Sequence, residues 1–183
     1  GQMGQAQGQA SLELTSVKVG IFPEYDHPGV LVVLYMTFSE SATAPRTLTF
    51  QVPAKSEILS VARISPEGES IPLSHELAEI GQWKDLRFAT NAQTIQIEYR
   101  DSNLVNEEDR RFYNYQWLAL YPVETFSITV RQPFGAGPIQ ADPSLGWGEE
   151  GPGDATYYTQ DVGPIPAGEL FTLNLMYTKD TAN

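Results

Sequence analysis

Residues 29–38 read GVLVVLYMTF, a run with no charged side chain. In an extended chain Val30, Val32, Leu34, Met36 and Phe38 fall on one side, and Leu31, Val33 and Tyr35 on the other. A strand that is apolar on both faces belongs inside a sheet, paired along both edges and covered on both faces. This run is therefore predicted to be the central strand of an all-β domain.

The flanking sequence supports that reading. In residues 12–22, Leu12 and Leu14 share one parity, and Val17, Val19 and Ile21 share the other. The switch at Thr15 and Ser16 predicts a β-bulge or a strand crossing between sheets. Residues 23–29, PEYDHPG, are a turn by composition. Further on, Leu48, Phe50 and Val52 alternate with polar residues, as do Ile95, Ile97 and Tyr99, then Phe126, Ile128 and Val130. Residues 57–64 and 156–162 read as strands. Leu86 and Phe88 mark a short one, and Phe171, Leu173, Leu175 and Tyr177 the last. Residues 74–80 carry one turn's worth of helical character. Residues 101–109 form an acidic loop, residues 133–153 a Gly/Pro-rich loop, and residues 163–168 a turn. Nine to eleven strands without a long helix predict an antiparallel β-sandwich, Ig-like or jelly-roll-like. Residues 1–10 read as a Gly/Gln-rich tail and residues 11–183 as a single domain.

Composition narrows the function. Of 183 residues 41% are hydrophobic and only 19% charged, and the net charge is -12. Phosphate-rich nucleic acid and anionic membrane surfaces would be repelled. Cations, neutral sugars and basic proteins would not. With no cysteine, disulfides, zinc–thiolate sites and iron–sulfur clusters are excluded. No apolar stretch approaches the roughly 18 residues of a membrane span, and no intact signal peptide is present. The opening GQMGQAQGQA is the kind of segment that removal of one leaves.

Little in the sequence speaks for catalysis. The two histidines, His27 and His75, fall in expected loops, and no Gly-x-Ser-x-Gly elbow is present. The 23 acidic residues single out no pair for glycoside hydrolysis. The expectation is a non-catalytic protein with no cofactor. Calcium is the ion the chain would best suit, through Asp101, Asn103, Asn106, Glu107, Glu108 and Asp109, which offer several oxygens from one loop. Glu149, Glu150 and Asp154 offer a second set, and neither set follows the EF-hand pattern. Tyr113, Tyr115, Trp117 and Tyr121 share one face of the strand at residues 112–121 and are assigned to the core. Trp147, Tyr157 and Tyr158 are the candidate platform for a neutral sugar. Gln2, Met3, Gln5, Gln7 and Gln9 in the tail are candidate contacts to a partner subunit.

Residues 21–38, IFPEYDHPGVLVVLYMTF, and 157–180, YYTQDVGPIPAGELFTLNLMYTKD, together resemble an uncharacterised group of bacterial extracytoplasmic β-sandwich domains. In that group the domain typically follows a signal peptide and precedes a C-terminal membrane anchor. The resemblance implies a secreted or cell-envelope protein, membrane-anchored before processing, and carries over no catalytic residue. The functional expectation is an extracytoplasmic β-sandwich acting through protein–protein contacts, as an accessory subunit or surface module. A carbohydrate-binding module is the alternative, and a hydrolase ranks third.

Overall fold

In the computed structural model of residues 12–180, β1 (Leu14–Pro23) and β2 (Val30–Phe38) pair antiparallel, Val17 opposite Met36 and Val19 opposite Leu34. Their register slips between Leu14 and Ser16, so the bulge expected at Thr15 and Ser16 is present. The turn between them ends at Gly29, whose φ is +93°. A Cβ there would lie 2.8 Å from the Asp101 carbonyl oxygen. The left-handed backbone and this close approach both require glycine.

The remaining strands are β3 (Arg46–Pro53), β4 (Glu57–Ile64), β5 (Ser70–Pro72), β6 (Glu76–Ile80), β7 (Trp83–Thr90), β8 (Thr94–Asp101), β9 (Val105–Glu107) and β10 (Arg110–Leu118). They continue with β11 (Val123–Arg131), β12 (Gln140–Asp142), β13 (Gly148–Gly151), β14 (Ala155–Ile165) and β15 (Leu170–Thr178). Strands make up 64% of the structure, so the fold is all-β as expected. Fifteen strands among the described residues exceed the nine to eleven read from sequence because β5, β9, β12 and β13 are only three or four residues long and β6 lies in a segment read as helical.

A long sheet runs β13-β14-β11-β1-β2-β8-β4-β5. Two shorter sheets, β12-β15-β10-β9 and β3-β7-β6, supply the other half of the core. Tyr113, Tyr115 and Trp117 of β10 point inward and are at most 3% exposed, as do Leu173, Leu175 and Tyr177 of β15. Phe50 of β3 bridges the two short sheets, its ring 6.3 Å from Trp117, which in turn lies 5.8 Å from Phe126 of the long sheet. One apolar cluster runs through all three sheets. Each large side chain fully buried there contributes about 1.5–3 kcal/mol.

Four expectations need correction. The β1–β11 ladder is parallel, although the other ladders are antiparallel. Residues 76–80 are a strand, not a helical turn: the ladder with β7 overrides a helix-favouring composition. The Gly/Pro-rich segment is pinned by β12 against β15 and by β13 against β14, and β14 runs on to Ile165 before the turn. The central strand pairs on both edges, with β1 and β8, but only one of its faces is buried. Val30, Val32, Leu34, Met36 and Phe38 are at most 1% exposed, whereas Leu31 and Val33 are half-buried and Tyr35 is 37% exposed.

Candidate functional site: the outer face of the long sheet

The uncovered face of β2 continues across its neighbours. Phe22 stands opposite Leu31 in the β1–β2 ladder, Gly20 opposite Val33, and Lys18 opposite Tyr35. In the β2–β8 ladder, Leu31 faces Arg100, Val33 faces Glu98, and Tyr35 faces Gln96. No outward residue of β1, β2 or β8 is buried. The result is an apolar centre of Phe22, Leu31, Val33 and Tyr35 with Lys18, Glu98 and Arg100 around it.

Local packing stiffens this face. A Cβ at Gly20 would stand 2.8 Å from Phe22 Cε2, so the absent side chain lets the Phe22 ring lie back along its own strand. The Phe22 and Tyr25 rings are 5.8 Å apart, and the Arg131 guanidinium sits 5.2 Å from the Tyr25 centroid. That cation–π contact places a charge beside the exposed Tyr25 ring. Gln96 Nε2 donates to Glu98 Oε1 at 2.9 Å. Apolar centre, charged rim and aromatic anchors are the composition of protein contact surfaces.

One end of this face is locked to the opposite layer through Glu24. Its Oε1 accepts from Arg111 Nε at 3.0 Å and from the Tyr177 hydroxyl at 2.7 Å, while Oε2 accepts from Lys179 Nζ at 2.6 Å. Burial pushes the Glu24 carboxyl up. The hydrogen bonds from Lys179 and Tyr177 and the charges of Lys179 and Arg111 outweigh it and hold the group below its ordinary value. Burial pushes the Tyr177 phenol well up, and the bond to the Glu24 carboxylate adds to that. The three donors satisfy the carboxylate, which suits it to hold the β1–β2 turn against β10 and β15.

The residues singled out in the sequence are dispersed. Trp147 is 92% exposed. Tyr158 is only 8% exposed, and its hydroxyl donates to Gln132 Oε1 and accepts from Ile139 N. Tyr157 is half-buried, with its hydroxyl donating to the Pro152 carbonyl at 3.0 Å. These three rings do not share one open surface.

Asp101 is 1% exposed, and its carboxylate accepts from the Tyr113 hydroxyl at 2.8 Å and from Asn103 N at 3.0 Å. Burial, with the neighbouring Tyr99 and Asp101, pushes the Tyr113 phenol well up. Glu107, Glu108 and Asp109 lie exposed around the β9–β10 turn, and Asn106 lines a cavity beside Glu24. Among the described residues no group of three His, Cys, Asp or Glu side chains is placed to hold a metal ion. Glu149 and Glu150 are exposed on β13, and Asp154 follows in the next turn. Gln2, Met3, Gln5, Gln7 and Gln9 lie outside the described residues. The sequence predicts a covered face for Leu31, Val33 and Tyr35, and the structure leaves that face open. Their signal was present in the two-sided apolar run itself.

No protein-family model matches the chain, and no curated protein matches it. Solved structures share its fold. It aligns with the M1 zinc metallopeptidase of Deinococcus radiodurans at a TM-score of 0.53 and 12% identity, over 91% of this chain and 42% of that one. A mutant of that enzyme bound to a Tyr-Ser-Ala substrate gives 0.52 and 13%, with the same coverage. A two-domain M1 zinc metallopeptidase mutant bound to L-arginine gives 0.51 and 13%, again over 91% and 42%. The chain thus spans about two-fifths of the length of the peptidases it resembles.

Proposed function

We propose that this chain is a non-catalytic, extracytoplasmic β domain that works by protein–protein contact, using the outer face of β1, β2 and β8. The observation that carries the reading is the exposed Tyr35 beside half-buried Leu31 and Val33, at the centre of the longest sheet. Soluble proteins seldom leave contiguous apolar area in such a position without a use for it. The occupant suggested is a folded protein surface with an apolar centre, neutral or basic overall, because the chain carries a net charge of -12. The peptidases of similar fold lend the reading an analogy: a β fold of this kind accounts for about two-fifths of their chains, so it has company there. The low charged fraction supports an extracytoplasmic setting.

The test is a photo-crosslinking amino acid at Tyr35, expressed in the source cells, with Thr172 on the opposite layer as the control site. A discrete adduct to one polypeptide is expected from position 35 alone, and Leu31→Glu should abolish it while leaving the melting temperature nearly unchanged. Equal labelling from both positions, or an adduct that survives Leu31→Glu, would defeat the proposal.

A further inference from the structure

The opposite side of the molecule carries a different surface. Phe112, Asn114 and Gln116 form the outward face of β10, and Asn174 and Met176 lie outward on β15, with Phe112 opposite Met176 and Asn114 opposite Asn174. Asn114 Nδ2 donates to Asn174 Oδ1 at 2.7 Å. Cavities of about 420 Å³ and 440 Å³ open along this face and share Asn103 and Asn114 as lining, so they form one trough. At one end Phe112 and Met176 form an apolar shelf beside Gln140 and the exposed Asp142. At the other, Gln116 leads to Gln82 and the half-buried Trp83 ring, with Lys55 at the margin. From Phe112 to Gln116 alone the trough extends about 13 Å at the rise of a strand.

We propose that this trough binds a neutral oligosaccharide. Sugar hydroxyls both donate and accept, and so do side-chain amides, whereas carboxylates and ammonium groups do only one. The Asn114–Asn174 bond leaves one amide with a free carbonyl oxygen and the other with free N–H groups, which suits adjacent hydroxyls on one ring. The apolar shelf and Trp83 offer surfaces for the C–H faces of a pyranose. Strand β10 pairs with β15 along its whole length but with β9 only from Arg110 to Phe112, so an extended peptide along the other edge of β10 is the competing occupant that the experiment must separate from a sugar. An acidic glycan would meet a chain of net charge -12. This site lies apart from the contact face proposed above and rests on separate residues.

The experiment titrates the isotope-labelled protein with cellohexaose, maltohexaose, mannohexaose and chitohexaose while following the side-chain amide resonances of Asn114 and Asn174. At least one sugar is expected to move both, and calorimetry should show Asn114→Ala weakening that sugar about tenfold or more. Trp147→Ala and Leu31→Glu should bind it as the unmodified protein does. Asn114→Asp keeps the side-chain shape while removing the donating amide, and should lose binding without loss of melting temperature. The proposal is overturned if none of the four sugars moves these resonances, if Asn114→Ala binds normally, or if oligogalacturonate or a peptide moves them more strongly.

Discussion

At Glu24 a single carboxylate joins parts of the chain that are remote in sequence. Its partners Arg111, Tyr177 and Lys179 lie 87, 153 and 155 residues away. Arg111 and Glu24 side chains are 8% and 14% exposed, so losing the carboxylate strands a nearly buried guanidinium. Glu24→Gln is expected to cost about 2 kcal/mol at neutral pH. Because the folded state holds Glu24 below its ordinary value, its contribution is whole above the ordinary carboxylate range. It drains as the pH falls through the depressed folded value. Urea unfolding at neutral and acid pH should therefore show the gap between Glu24→Gln and the unmodified protein closing on acidification. A gap that is constant with pH would contradict this account of the pair. Nothing in the local sequence around Glu24 announces the cluster, since its partners converge only after the sheets have assembled.

At the scale of elements, β2 shows what alternation can and cannot reveal. The letters establish which residues share a face, and they place Leu34 and Tyr35 on opposite sides. They do not reveal what lies over each face. Leu34, 1% exposed, packs into the core between the sheets, whereas Tyr35 meets solvent. Leu34→Asp is expected to prevent folding, since an unpaired charge in that position costs more than about 4 kcal/mol. Val33→Lys, one residue away, should fold and melt within a few degrees of the unmodified protein, by circular dichroism. A folded Leu34→Asp protein would show that the core is misplaced. The bulge in β1 was legible because a parity switch has a direct geometric consequence, and the inward face of β10 because large rings are hard to leave in water. Strand β6 was not legible: HELAEI favours helix locally, and only the ladder to β7 makes it extended. The amides of β10 were legible as the face opposite the rings, but the trough depends on β15 and on the segment around Trp83 arriving beside them.

The whole molecule is a two-layered β fold whose two outer surfaces differ in chemistry. The long sheet presents apolar residues with a charged rim, and the four-stranded sheet presents amides with an apolar shelf. The first suits a protein surface and the second a polyhydroxylated chain, which is why the two proposals can fail independently. The central claim is that the long sheet's outer face is covered in the protein's native setting. Hydroxyl-radical footprinting of the isolated protein and of its native preparation compares the two states directly. Trp147 and Phe134, each 92% exposed, serve as internal standards in both. The account predicts that Tyr35 and Tyr25 are oxidised in the isolated protein and shielded in the native preparation, while the two standards stay reactive. Equal oxidation of Tyr35 in both states would contradict it.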